Sequence, residues 1–312
     1  MKKRGFKVSE FEMRMARAQE IMHRRNLDAI LVTTPQNIRY FTGFDSQFWE
    51  SPTRPWFVVV PGEGKPIAVV PEIGAREMER TWVEDVRSWP SPIPEDDGIS
   101  LLSDVVNSLA TKFNTIGAEL GREMTLRMPV NDFLKLRTFI NRQILDGSPA
   151  LWEMRMVKTE SEIQRIEHIC KLASESYQDL PKYLNIGETE RDAVRKLRID
   201  LIKRGADSIP FLPAVSGQGG VSQIVCGPSD RKLENGDILF MDTGSTYDGY
   251  FCDFDRNFAI GKISDEAMKV HDLLWTATES GIAASVPGMT TEDVWLSMNR
   301  VIEEGGVNGN NA

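Results

Sequence analysis

The 312-residue chain has little cysteine, little histidine and no long apolar run. Its three cysteines, Cys170, Cys226 and Cys252, lie far apart and form no Cys-x-x-Cys pair. That excludes a disulfide framework and a zinc knuckle, and it suits a reducing cytoplasm. No stretch of about 18 consecutive apolar residues occurs, so no membrane span is expected. The basic start, MKKRGFKVSEFEMRM, lacks the apolar segment of a signal peptide. Basic residues are outnumbered as well, 37 Lys and Arg against 46 Asp and Glu, and the net charge of −9 argues against a nucleic-acid or anionic-membrane surface. No low-complexity tract or short-period repeat appears. SGQGGVS lacks the spacing of a phosphate-binding loop and reads as a bend. What remains is the composition of an ordinary globular protein, long enough for two domains.

Ser9 and Glu12 match a capping box, and Phe11, Met15, Ala18 and Met22 follow at helical spacing, which predicts a first helix. AILVTT, PQNIRYFTGF and the strands WFVVV and IAVV follow, the last two joined by PGEGKP. Helices around ISLLSDVVNSLATKF and VNDFLKLRTFI, with a strand at TIGAEL between them, complete an alternating α/β unit over residues 1–150. DGSPALWEMRMVK reads as the crossing into a second domain, 151–312. That domain opens with a Thr159 and Glu162 capping box and a helix carrying Ile163, Ile166 and Ile169. A second helix, TERDAVRKLRIDLIKRG, is closed by Gly205. Strands are expected at SIPFLPAVSG, SQIVCG, ILFMDTG and YFCDFDRNFAIG, and two helices, DEAMKVHDLLWTATESGIAAS and TEDVWLSMNRVIEEGG, end the chain.

The stretch MDTGSTYDGYFCDFDR, residues 241–256, holds four aspartates. Asp248-Gly249 is a strong signal for a two-residue hairpin turn, because both central residues must take positive φ. In that register Tyr247 faces Tyr250, Gly244 faces Asp253 and Asp242 faces Asp255, and the strand period of two sends the last four to one face. Three converging carboxylates need a cation, a shared proton or basic neighbours. Oxygen-rich clusters of this kind suit hard or borderline divalent metals, manganese especially. The alternative is an exposed hairpin whose aspartates face solvent. An EF-hand is excluded, because its alternating oxygen ligands and terminal glutamate are missing.

Asp242-Thr-Gly, Asp253 eleven residues on, and Arg256 together resemble the Asp-x-Gly…Asp-x-x-Arg signature of the creatinase, prolidase and Xaa-Pro aminopeptidase family, the pita-bread metallopeptidases. PQNIRYFTGF, MRMVKTESEIQRI and GPSDRKLENGDILFMDTG are similar to further segments of that family, in family order. The resemblance implies an α/β creatinase-like N-terminal domain followed by an incomplete α+β pita-bread domain. It also implies a homodimeric hydrolase with two divalent metal ions, manganese first, with cobalt or zinc as alternatives. Asp242 would bind one metal and Asp253 both, and a metal-activated water would attack the carbonyl of a small peptide or amide. Asp255 stands where relatives often have threonine, and reads equally as a further ligand or as a group orienting one.

Two departures qualify this. The family's remaining ligands are a histidine in a later His-Gly segment and two glutamates beyond it, and EEGGVNGNNA ends the sequence before any of them. The chain therefore reads as truncated, and able to supply only part of the site. His23, His168 and His271 fall in predicted helices with surface or packing roles, and Glu303 and Glu304 read as solvated. Peptidase relatives also place a histidine where this sequence has Val225, next to Cys226, and valine can neither donate nor accept a proton. Besides a hydrolase of proline-containing peptides, this leaves a creatinase-like enzyme acting on a small non-peptide C–N bond, and a non-catalytic pita-bread binding module. Tyr40, Trp49, Arg54, Val225, Cys226 and Arg256 are the pocket candidates. The aromatic stretch FTGFDSQFWESPTRPWF reads either as a loop reaching across a dimer or as an interface or core patch.

Overall fold

The computed structural model describes residues 4–51, 54–224 and 227–306. The chain divides into two compact units, 1–163 and 164–312.

The first unit contains α1 (Val8–Arg24), β1 (Ala29–Val32), α2 (Pro35–Thr42), β2 (Phe57–Pro61), β3 (Ile67–Pro71), α3 (Glu72–Met78) and β4 (Asp85–Trp89). It continues through α4 (Ile99–Ser108), β5 (Thr115–Ala118), α5 (Val130–Phe139), β6 (Gln143–Asp146) and α6 (Ser148–Met156). The strands form one mixed sheet in the order β4-β3-β2-β1-β5-β6. Its central strands are continuous apolar runs because both faces are covered, as expected of a sheet between two helical layers. Ile30, Val32, Val58 and Val60 pack with Met15, Ile21 and Met22 of α1 and Leu151 of α6. Leu31, Phe57 and Val59 pack with Leu102 and Val106 of α4 on the other side.

Two sequence expectations are corrected here. α1 begins before Ser9, with extended Lys7 as N-cap and no side-chain cap. Ser9 is already helical, so it forms no capping box with Glu12. DGSPALWEMRMVK is not a crossing, because it supplies the end of strand β6 and helix α6. Its Gly-Ser-Pro marks the turn between them, with the proline in the first helical turn, where a missing N–H costs nothing.

The next helix, α7 (Glu160–Asp179), starts at the predicted Thr159 and Glu162 box. The Glu162 side chain accepts from the Thr159 amide at 2.8 Å, and the Thr159 hydroxyl accepts from the Glu162 amide at 3.2 Å. The second unit then contains α8 (Glu190–Arg204), β7 (Ser208–Phe211), β8 (Ala214–Gln218), β9 (Asp237–Tyr247), β10 (Tyr250–Ile260), α9 (Asp265–Ala284) and α10 (Thr291–Glu304). α8 is ended by left-handed Gly205 at φ 112°, as the sequence predicts, and is capped at its start by Thr189 in a box with Asp192 that sequence reasoning missed. β9 is central: β10 lies along one edge, and β7 and β8 follow one another along the other. The odd-numbered residues Leu239, Met241 and Tyr247 join a core with Ile169, Leu172 and Ala173 of α7 and Leu197 and Leu201 of α8. The strand expected at SQIVCG does not form over 222–224, and β8 ends before it, at Gln218. Its next two residues, Val225 and Cys226, lie outside the described residues.

Candidate metal centre

The β9–β10 hairpin has the register expected from its turn. Tyr247 pairs with Tyr250, Gly244 with Asp253 and Asp242 with Asp255. Asp248 and Gly249 take φ values of 50° and 80°, the pair of positive angles that a two-residue turn of this hand requires. The tip is fastened to its own unit. Arg165 Nε on α7 donates to Asp248 Oδ2 at 2.7 Å, the Asp248 amide donates to Asp207 at 2.7 Å, and the His168 ring meets Tyr247 edge-on at 4.4 Å. His168 is thus a packing residue.

Because side chains alternate, the face opposite the helices carries Asp242 and Gly244 from β9 and Phe251, Asp253 and Asp255 from β10. Asp242 stands at the junction of β7 and β8, and its amide donates to Pro213 O at 3.2 Å. Its Oδ1 is buried and has no hydrogen-bond partner among the described residues. Burial first, and then the negative charges of Asp253 and Asp255, push the Asp242 carboxyl up from 3.8 to about 6. A buried acceptor without a donor costs about 1–3 kcal/mol, and like charges facing each other on paired strands add to that. A divalent cation answers both, since it supplies the missing charge and takes up the unused lone pair. The residues therefore fit a metal. Among the described residues they form a pair and not a full coordination shell, because no three His, Cys, Asp or Glu side chains cluster to hold an ion.

Beside the carboxylates the face is apolar. A Cβ at Gly244 would lie 2.1 Å from the Phe251 ring and 3.1 Å from Phe211 Cβ. Only glycine lets the Phe251 ring lie across the strand next to Asp253. Phe211 and Phe251 keep 47% and 46% of their surface exposed, so two rings border the carboxylates and remain open to contact.

Behind the pair, on the core side, the Tyr177 hydroxyl lies 3.0 Å from both Met241 O and Phe254 O. Burial, with Asp242 beyond it, pushes this hydroxyl well above the usual tyrosine range, so it remains a donor. Nearby, Glu190 at the start of α8 is 2% exposed. It accepts from the amide and hydroxyl of Ser216 at 2.7 and 2.8 Å and from those of Ser229 at 2.9 and 2.7 Å. The Ser229 and Ser216 donors outweigh the opposing effect of burial and hold its carboxyl below the ordinary value. Arg231 extends this network by donating to Ser216 Oγ and to Asp237. Sequence reasoning missed Tyr177, Glu190 and the Phe211–Phe251 border. All three depend on residues far apart in the chain, and only the glycine of Asp242-Thr-Gly gave a local sign of close approach.

The described pocket candidates are divided between the two units. Arg256 alternates to the face opposite Asp255, its guanidinium 5.1 Å from the Phe254 ring centre. Val225 and Cys226 lie outside the described residues. Tyr40 sits in the core of the first unit, with its hydroxyl 3.2 Å from Met154 O and its ring 4.4 Å from the Arg14 guanidinium carbon. In the same unit Trp49 packs against Phe44 and Trp56 and donates to Asp45 at 3.3 Å. Arg54 is half-buried, and its Nε has no partner among the described residues.

Comparison with known proteins agrees with this architecture. Residues 14–157 match the creatinase/prolidase N-terminal domain, and residues 164–311 match metallopeptidase family M24. The chain is 26% identical over 312 residues to a probable dipeptidase, PepE, of Mycobacterium tuberculosis, covering 98% of this chain and 79% of that protein. Among solved structures, a prolidase from Thermococcus sibiricus superposes with a TM-score of 0.82 at 23% identity, covering 95% of this chain and 78% of the other. Dipeptidase PepE from Mycobacterium ulcerans gives 0.80 at 23% identity over 97% and 78%. The two family matches account for both units and the structural neighbours share their fold, so the chain belongs to the creatinase/prolidase family of M24 metallopeptidases, with a creatinase-type N-terminal domain and a pita-bread domain.

Proposed function

We propose that this chain carries part of the metal centre of a hydrolase acting on small proline-containing peptides, with Asp242 holding one divalent ion and Asp253 two. The observation that carries the reading is the buried Asp242 Oδ1, without a donor among the described residues, beside two further carboxylates. The dipeptidase and prolidase relatives supply the substrate class. Bound divalent ions in such a site activate water at neutral pH and polarise the carbonyl under attack. The chain's own residues do the rest. Asp242 and Asp253 hold the charge in place, and the Phe211 and Phe251 rings offer an apolar border on which a pyrrolidine ring could lie. Asp255, opposite Asp242, orients the pair or adds an oxygen to it.

Manganese is our first choice of metal on the oxygen-only donor set. We place the protein in the cytoplasm, where the free thiols Cys170 and Cys252 would stay reduced, and read it as a homodimer by its family. No helix among the described residues is long and apolar enough to cross a membrane. Release of proline from Ala-Pro by the manganese-loaded chain tests the proposal. Turnover that disappears on chelation and in Asp253→Asn supports it, and turnover indifferent to both contradicts it. Valine at position 225, in place of a proton-transferring histidine, favours a second reading, a creatinase-like hydrolase of a small C–N substrate. Metal-independent turnover of creatine without dipeptide cleavage would select that reading.

A further inference from the structure

The Tyr177 hydroxyl occupies an unusual place. It reaches through the core side of the hairpin to two carbonyls on different strands, Met241 O on β9 and Phe254 O on β10, each at 3.0 Å. Those carbonyls belong to the peptide groups that lead into Asp242 and Asp255, the two residues directly opposed in the register. The Met241–Asp242 peptide is thereby held at both ends, since its N–H donates to Pro213 O at 3.2 Å. The orientation of that peptide sets the direction in which the Asp242 side chain leaves the strand. On the far face, carboxylates of like charge confront each other and push the strands apart. The hydroxyl bridges the strands at the same level from behind. Its ring is anchored independently of the hydroxyl, packed on Phe258 at 5.8 Å and 29°, and the residue is only 4% exposed.

We infer that Tyr177 is a positioning residue for the carboxylate pair, bridging β9 and β10 through Met241 O and Phe254 O so that Asp242 and its neighbours stay converged. The inference rests on the reading of Asp242 and Asp253 as metal ligands. The test is Tyr177→Phe, which keeps the ring and its packing, with Phe258→Leu as a control that disturbs packing and keeps the hydroxyl. Two quantities are read on the full chain: amide hydrogen exchange over 240–257, and manganese(II) affinity by electron paramagnetic resonance titration. Loss of one such hydrogen bond corresponds to about a five-fold effect. Tyr177→Phe is expected to speed exchange across 241–243 and 254–256 by about that factor and to weaken manganese(II) binding similarly. Phe258→Leu is expected to lower the melting temperature without either change. Manganese(II) affinity unaltered in Tyr177→Phe would overturn the inference, as would equal losses in both variants. A wild-type chain that takes up no manganese(II) would overturn the metal reading, and hydrogen exchange alone would then decide whether Tyr177 holds the strand pair.

Discussion

Glu190 and Asp242 are carboxylates of the same unit, both with buried oxygens, and their surroundings treat them in opposite ways. Glu190 receives four hydrogen bonds, from two amides and two hydroxyls, which tie β8 to Ser229. Asp242 presents a buried oxygen with no donor among the described residues and faces two more carboxylates. Glu190's ionised form is stabilised by the fold, and Asp242's is opposed by it. The difference separates a carboxylate that builds structure from one whose charge is left for something else to neutralise. Sequence position alone does not separate them, since each lies at a conventional place on a helix or strand.

The largest effect should come from the satisfied carboxylate. Glu190→Ala leaves four donors without their acceptor and is expected to cost about 3 kcal/mol in urea unfolding at pH 7. A loss below about 1 kcal/mol would mean that water replaces the side chain. The opposite sign is expected at Asp242. In metal-free protein Asp242→Asn removes a like-charge contact and should raise stability by about 1 kcal/mol at pH 7. A loss of that size would show that the ionised carboxylate has donors after all.

Acid titration sharpens the contrast. Asp242 has a folded value raised from 3.8 to about 6, so its contribution is most favourable below 3.8 and is lost as pH rises through about 6. Glu190 has a folded value lowered from 4.5, so its contribution is present above 4.5 and lost as pH falls through the folded value. Stability of the metal-free protein should therefore decline between about pH 4 and 6 in the wild type, and that decline should flatten in Asp242→Asn. Below pH 4.5 a decline should remain in Asp242→Asn and weaken in Glu190→Gln. Chemical denaturation across pH 3–8 measures both. The smallest effect is expected at exposed Asp255, where Asp255→Asn should raise metal-free stability by a few tenths of a kcal/mol. It should also weaken manganese(II) binding by about ten-fold, the lower end of the range for a group that orients a ligand. A loss as large as that at Asp242 would make it a ligand.

The hairpin was legible because its signals are local. Asp248-Gly249 specifies the turn, the turn fixes the register, and alternation places Asp242, Asp253 and Asp255 on one face. The caps at Thr159 and Gly205 were equally readable. The capping motif at Ser9 misled because the same spacing also occurs inside a helix, and whether a helix starts two residues earlier, at Val8, depends on backbone angles that the motif does not encode. The Gly-Ser-Pro of residues 147–149 marks a turn, but the sequence does not say whether a turn ends a domain or joins β6 to α6. Tyr177 was out of reach, because it lies 64 residues before Met241 and resembles any other core tyrosine on an amphipathic helix. The same holds for Glu190, whose partners Ser216 and Ser229 meet it only once β8 is in place.

The most direct test is manganese(II) titration of the wild-type chain, Asp242→Asn and Asp253→Asn, followed by electron paramagnetic resonance. The account predicts saturable binding by the wild type that weakens by about 100-fold or more in each variant. A wild type that binds no manganese(II), or variants that bind it as the wild type does, would contradict the reading of Asp242 and Asp253 as metal ligands.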